Sequence, residues 1–125
     1  MILECLAENF SVCKLENTTA VDLEVPFTFL SVTDDEISLV CPSGSLPPNI
    51  THIERDWKAF KIQGKLDFGL IGIIASISQL FAKNQISIFV ISTYNTDYIL
   101  VKEPQYAKAM DLLRAHSYKL VLAPT

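Results

Sequence analysis

Apolar and polar residues alternate along this chain with two different periods, and the places where the period changes mark its elements. Leu3, Cys5 and Ala7 follow a period of two, and Phe10 and Val12 resume it after Glu8-Asn9. Ile2 to Leu15 is therefore expected to form a hairpin with that polar pair at its tip. Glu16 to Pro26 has little periodicity and reads as a connection. Phe27 to Thr33 and Ile37 to Cys41 are rich in β-branched and aromatic residues and bracket the polar turn Asp34-Asp35-Glu36, which predicts a second hairpin. Pro42 to Asn49, with three prolines and one glycine, is a loop that ends the first half.

The second half changes period twice. From Trp57 to Leu66, Phe60, Ile62, Gly64 and Leu66 share one face while Lys61, Gln63 and Lys65 take the other, as in a strand with one wet face. Leu70, Ile73, Ile74, Ile77, Leu80 and Phe81 then trace the stripe of a helix packed on a sheet, with Asn84 as its stop. Ile86 to Ile91 is nearly all apolar and reads as a central strand covered on both faces. Tyr94-Asn95 turns the chain into a strand from Tyr98 to Lys102. Pro104 suits the first turn of a helix whose face is Tyr106, Met110 and Leu113 with Ala107 beside them, and Tyr118 to Leu122 closes as a strand. Strand, helix, strand, strand, helix, strand is the split βαβ plan, so the expected class is α+β, ferredoxin-like, with an antiparallel sheet and two helices on one face. Residues 1–53 form a β-rich subdomain on this reading and residues 54–125 the ferredoxin-like domain. Ser31 to Val40 can also be laid on Ser92 to Val101 without a gap, Ser31 meeting Ser92 and Glu36 meeting Asp97, which suggests related halves.

At 125 residues, half of them apolar, the chain has enough material for one core or for two small ones. Its net charge of −4, with dispersed Lys and Arg, argues against nucleic acid and against an anionic membrane surface. The greasiest run, Gly69 to Ala82, contains Ser76, Ser78 and Gln79 and stops short of the roughly 20 residues a spanning helix needs. Glu4 and Glu8 stand where a secretory signal would carry positive charge, so the reading is cytoplasmic. Cys5, Cys13 and Cys41 lack the spacing of a zinc or redox site and have apolar neighbours, which points to buried reduced thiols. Neither His52 nor His116 is tied to a cysteine by the sequence, so nucleophilic chemistry has no visible base. Asp34-Asp35-Glu36 is a solvated turn rather than a cation site, and no metal or cofactor is assigned.

Four segments, Thr33-Asp34-Asp35-Glu36-Ile37-Ser38, Glu54-Arg55-Asp56-Trp57-Lys58-Ala59-Phe60, Leu66-Asp67-Phe68-Gly69-Leu70-Ile71-Gly72-Ile73 and Ile88 to Val101, resemble the ACT-domain superfamily, and within it small proteins built of two ACT-like halves. Such modules are also found in intracellular amino-acid sensors and in the regulatory regions of aspartate kinases. The resemblance implies a non-catalytic regulatory protein that binds a small-molecule amino acid, forms a homodimer, and places the ligand where the loop into the first helix meets the second strand and its hairpin, often at an ACT–ACT interface. Carried onto this sequence, it implicates Asp67, Phe68, Gly69, Leu70 and Gly72 in the loop and Ser92, Thr93, Tyr94 and Asp97 in the hairpin. The N-terminal half has no comparable glycine-rich helix opening.

The chemistry of those residues suits an α-amino acid. N–H groups at the helix opening near Gly69 to Gly72 are donors for a carboxylate, and the glycines permit close approach. Asp67 and Asp97 are carboxylates available to an ammonium or a cationic side chain. The same residues also serve a purely structural arrangement, in which Asp67 caps the helix, the glycines allow tight packing and the hydroxyl-rich hairpin is an ordinary solvated tip. An alternative function follows, a ligand-free dimerisation or assembly module that docks on a metabolic enzyme through exposed strand edges.

Overall fold

The computed structural model describes residues 1–63 and 72–124. The chain divides into two compact units, the first Glu8–Trp57 and the second Met1–Ala7 together with Lys58–Thr125. The strands are β1 (Ile2–Cys5), β2 (Phe10–Leu15), β3 (Phe29–Val32), β4 (Ile37–Pro42), β5 (Ile50–Ile62), β6 (Phe89–Ser92), β7 (Asp97–Lys102) and β8 (Lys119–Leu122), and the helices are α1 (Ile73–Lys83) and α2 (Glu103–Ala115). The class is α+β, as the alternating periods imply.

In the first unit the strands run β5-β2-β4-β3, every neighbour antiparallel. Counted along the chain this is fourth, first, third, second, the order of a split βαβ fold, yet the described unit holds no α-helix. A loop from 16 to 28 stands in place of the first helix, and a single 3-10 turn, Ser43–Ser45, in place of the second. Asn17 organises the loop: its Oδ1 accepts from the Thr19 N–H at 3.1 Å and from the Thr19 hydroxyl at 2.7 Å. Asn49 Nδ2 donates to Asn17 O and to Asn17 Oδ1, both at 3.0 Å. Loop backbone that would otherwise need a helix is thus satisfied by side chains. Cys13, Leu15, Leu39 and Cys41 are buried beneath Val21, Leu30 and Leu46. Phe10 faces Trp57 while Val12 faces Glu54, so β5 carries an extra residue there, and Asp56 takes the left-handed conformation (φ 67°) that a bulge requires and Asp tolerates.

In the second unit the last part of β5 lies between β1 and β7, with β8 beside β1 and β6 beside β7. This is the same split βαβ order with β1 inserted between its first and fourth strands. β1 runs antiparallel to β5 (Leu3 opposite Ile62) and parallel to β8 (Ile2 opposite Lys119). Ile77 and Phe81 of α1 and Ala109 and Leu113 of α2 pack on Leu3, Phe60, Ile62, Ile99 and Val101. On α2 the small buried residue is Ala109, and Ala107 is exposed.

Two expectations are corrected. Ile2 to Leu15 does not form a hairpin, because β1 is paired along both edges by β5 and β8, and β2 pairs with β4 and β5. The run from Ile86 to Ile91 is not a central strand: among the described residues β6 pairs with β7 alone, and Phe89, Val90 and Ile91 are half-buried. The run is split because Ile86 belongs to the end of α1. Its N–H donates to Phe81 O at 2.9 Å and that of Gln85 to Ala82 O at 3.2 Å, with Gln85 left-handed (φ 56°). This is the Schellman closure, in which buried Ile86 touches the helix end instead of extending the strand.

The β3–β4 and β6–β7 hairpins repeat each other. Thr33 N–H donates to Glu36 O at 3.0 Å and Thr33 Oγ1 to the same oxygen at 3.2 Å; Thr93 makes both bonds to Thr96 O at 2.9 Å. Thr33 thus corresponds to Thr93 and Glu36 to Thr96, one residue away from the match of Ser31 to Ser92 read in the sequence.

Candidate functional site

One end of the second unit gathers five backbone features. The end of β5 meets the start of β1 where Gln63 N–H donates to Ile2 O at 2.9 Å, and the start of β8 joins them where Lys119 N–H donates to Met1 O at 3.1 Å. The turn between β6 and β7 is fixed to the same end by Thr96, whose hydroxyl donates to Ile62 O at 2.9 Å. Thr96 is 3% exposed, so this bond lies in a dry setting. The fifth feature is the N-terminus of α1, opened by Gly72.

Gly72 is glycine for its backbone and not for space. Its φ is 86°, while a Cβ built there would have nothing within 4 Å among the described residues. The left-handed turn starts α1 without a capping side chain, and the Ser76 N–H closes the first turn on Gly72 O at 2.8 Å. The N–H groups of residues 73 to 75 precede the first intrahelical bond, which leaves donors and a partial positive charge at this terminus. Beside it lies a cavity of about 180 Å³, lined among the described residues by Met1, Gly72, Ile73, Ser76 and Tyr118.

The residues singled out from the sequence fall into three groups. Asp67, Phe68, Gly69 and Leu70 lie outside the described residues. Gly72 borders the cavity. Ser92, Thr93 and Tyr94 are exposed on the hairpin and Asp97 is half-buried at the start of β7, and none of the four lines the cavity. The Thr93 proton is committed to Thr96 O, so its hydroxyl presents only acceptor capacity outward. On the neighbouring strands Lys61 Nζ stands 5.9 Å from the centre of the Tyr98 ring. Met1, Ser76 and Tyr118 have no counterpart in the sequence reading, because the parallel pairing of β1 with β8 is what brings Met1 to Tyr118.

The remaining reactive side chains belong to the packing. All three cysteines are buried free thiols. Burial pushes the Cys13 thiol up against a smaller opposing pull from Arg55, and burial with the nearby Cys13 pushes Cys41 up to about 11. Neither is a thiolate at neutral pH. Burial first, then its bond with the Cys5 thiol, raises the Tyr106 phenol well above the ordinary range, so it stays protonated in the core. His116 Nδ1 lies 2.9 Å from Leu112 O at the end of α2, and exposed His52 contacts Thr51 Oγ1. Among the described residues no group of three or more His, Cys, Asp or Glu side chains is placed to hold a metal ion, and no helix is long and apolar enough to cross a membrane.

A sequence model of the ACT domain matches residues 52–115. A protein from Agobacterium tumefaciens, known from its X-ray structure, is 30% identical, with 99% of this chain and 94% of that one covered and a TM-score of 0.84. A Vibrio cholerae protein of unknown function, described as a possible transport protein, shares the fold at 17% identity and a TM-score of 0.70, covering 90% of this chain and 87% of its own. The allosteric aspartate kinase of Clostridium acetobutylicum shares it at 16% identity and a TM-score of 0.63, over 90% of this chain and 32% of the kinase. Among curated proteins none matches.

Proposed function

The chain belongs to the ACT domain family, and from that premise we propose that it is a cytoplasmic, non-catalytic regulatory protein that binds a free amino acid and acts as a homodimer. The ligand lies at the gathered end of the second unit, between the opening of α1 and the β6–β7 hairpin, with Asp67, Phe68, Gly69, Leu70 and Gly72 on one side and Ser92, Thr93, Tyr94 and Asp97 on the other.

The observation that carries this reading is the buried Thr96–Ile62 hydrogen bond, which ties the hairpin to the end of the strand that leads into α1. It sets two surfaces of opposite polarity at one end of the sheet. The start of α1, without a capping side chain among the described residues, offers donors and positive potential, suited to a carboxylate. The hairpin offers the Asp97 carboxylate and a Thr93 hydroxyl left only as an acceptor, suited to an ammonium. A zwitterion has both needs. The allosteric kinase that shares the fold supports a regulatory role. Regulation then requires that the ligand bind one subunit arrangement more tightly than another.

Isothermal titration with each of the twenty amino acids, run beside Asp97→Ala, tests the proposal. Saturable binding by the wild type that Asp97→Ala weakens about tenfold or more is expected, since a charged hydrogen bond is worth roughly 1.5–3 kcal/mol. No binding to any of them would overturn it and favour an assembly module, for which β6, paired among the described residues with β7 alone, provides a surface.

A further inference from the structure

β8 ends the sheet of the second unit, and among the described residues it is paired with β1 alone. The parallel bonds fix which of its backbone groups are free. Lys119 N–H donates to Met1 O and Ala123 N–H to Cys5 O, both at 3.1 Å, so residues 119, 121 and 123 turn their backbone polar groups toward β1. Those of Leu120 and Leu122 turn outward, where no described residue meets them. The free stretch has two definite ends. Tyr118, the preceding residue of that parity, donates its N–H to Leu113 O at 3.0 Å, and Pro124 has no N–H to give.

The side chains single out the same strand. Leu122 is 88% exposed, more than any other large apolar residue among those described. Leu120, on the same side of β8, is half-buried against the helix-covered core that includes Leu3 and Leu113. An open strand edge carrying a bare leucine is a surface that a further strand completes.

We propose that β8 of one copy pairs antiparallel with β8 of a second copy, about a two-fold axis through Val121, so that one sheet runs through the dimer. Only this register uses every outward N–H. Leu120 faces the partner's Leu122 and the two exchange both bonds, twice across the axis, which makes four. Setting Leu120 on the partner's Leu120 would put Leu122 against a Tyr118 whose N–H is taken, and setting Leu122 on the partner's Leu122 would put Leu120 against Pro124. The bare Leu122 side chain gains the partner's Leu120 as its cross-strand neighbour. Leu3 and Cys5 are turned to the helices, so Glu4 of β1 and Lys119 of β8 share the other face, where each copy brings one charge of either sign. Lys119 faces the partner's Ala123, and the two lysines stand roughly 14 Å apart, an offset of four residues at about 3.4 Å each. The inference rests on the homodimer proposed above, not on the amino acid.

Sedimentation equilibrium of the full chain and oxidative cross-linking test it. Leu122→Pro keeps the β1–β8 ladder, since residue 122 gives β1 no bond, but removes two of the four N–H donors between copies, and is expected to weaken dimerisation at least tenfold. Val121→Cys sets two thiols opposite each other at the axis, with Cα atoms about 4.5 Å apart, within the range a disulfide spans. Diamide, which takes up the two electrons and two protons released, is expected to join those chains. The native cysteines are buried, so the introduced thiol is the one that reacts. Lys119→Cys, exposed on the same face but roughly 14 Å from its counterpart, is expected to stay uncross-linked under the same treatment. Circular dichroism verifies that the variants fold, and the cross-linking tests the register without Leu122→Pro. A wild type that is monomeric at every concentration overturns the dimer and this inference together. A dimer that Leu122→Pro leaves equally stable, or one that cross-links through Lys119→Cys as readily as through Val121→Cys, overturns this inference alone.

Discussion

Replacing Thr96 with valine removes one donor and almost no volume. Thr96 is 3% exposed, and its hydroxyl donates to the carbonyl of Ile62 at 2.9 Å. Valine keeps the β-branch and the shape, so the change isolates the bond. A buried carbonyl left without this partner costs about 1–3 kcal/mol. A methyl buried in place of the hydroxyl returns about 0.8 kcal/mol. The expected net loss is about 0.2–2.2 kcal/mol, which in urea lowers the midpoint by roughly 0.1–1 M for a slope typical of small domains, with the slope unchanged.

Thr93→Val is the matched control. That hydroxyl also bonds at 2.9 Å, to Thr96 O, but within an exposed turn where water replaces it, so its loss should cost about half as much or less. Thr96→Ser restores the donor and should recover the midpoint to within the roughly 0.8 kcal/mol of one methyl. Equal midpoints for Thr96→Val and Thr93→Val would refute the claim that the Ile62 bond holds the hairpin to the end of β5. The polarity argument for an amino-acid site would then lose its geometric basis.

Two further substitutions probe the ends of α2 and the first-unit core. Ser117 is left-handed (φ 71°) at the Schellman closure of α2, where Tyr118 N–H donates to Leu113 O at 3.0 Å, so Ser117→Gly relieves roughly 1 kcal/mol of strain and returns part of it in chain entropy. A rise of about 2 °C in Tm is expected, and a fall would show that the serine side chain matters more than its backbone. The Cys41 thiol is raised from 9.0 to about 11 by burial and by Cys13, so the folded state keeps a proton that the unfolded chain releases. Stability is then constant below pH 9 and falls between pH 9 and about 11, at roughly 1.4 kcal/mol per pH unit for this group, with Cys13 adding in the same direction. A urea midpoint that stays flat from pH 8 to 11, or a slope that Cys41→Ala leaves unaltered, contradicts this.

Local period carried much of the fold. The stripe Ile73, Ile74, Ile77, Leu80, Phe81 is the face that α1 packs, because a helix repeats every 3.6 residues whatever its neighbours. Partner choice is a different matter. Ile2-Leu3-Glu4-Cys5 alternates equally well as the arm of a hairpin or as a strand inserted beside β8, and the choice rests with Lys119 to Leu122 at the far end of the chain. The same non-local pairing makes the cavity wall of Met1 and Tyr118, which is why the sequence reading named Gly72 but not the residues beside it. Ile86 misled for a local reason: an apolar residue two places beyond a helix end satisfies a Schellman contact as readily as it starts a strand.

The repeated hairpin shows how a one-residue offset changes the chemical conclusion. Laying Ser31 on Ser92 matches letters, but a strand shifted by one residue presents its opposite face, so burial has to decide the register. The buried triplets Leu39-Val40-Cys41 and Ile99-Leu100-Val101 coincide only when Thr33 is laid on Thr93. Exposed Glu36 then stands where the second unit has buried Thr96, and the 3-10 turn after β4 stands where α2 follows β7. The first unit keeps the strand order and the threonine turn but has neither the Thr96 clamp nor a helix opening after its first strand. Asn17 and Asn49 fill that position with the chain's own hydrogen bonds. Among the described residues only the second unit has an α-helix opening to offer backbone donors to a ligand carboxylate, so the titration should saturate at one amino acid per chain, and a stoichiometry of two would mean that the first-unit loop opens to bind.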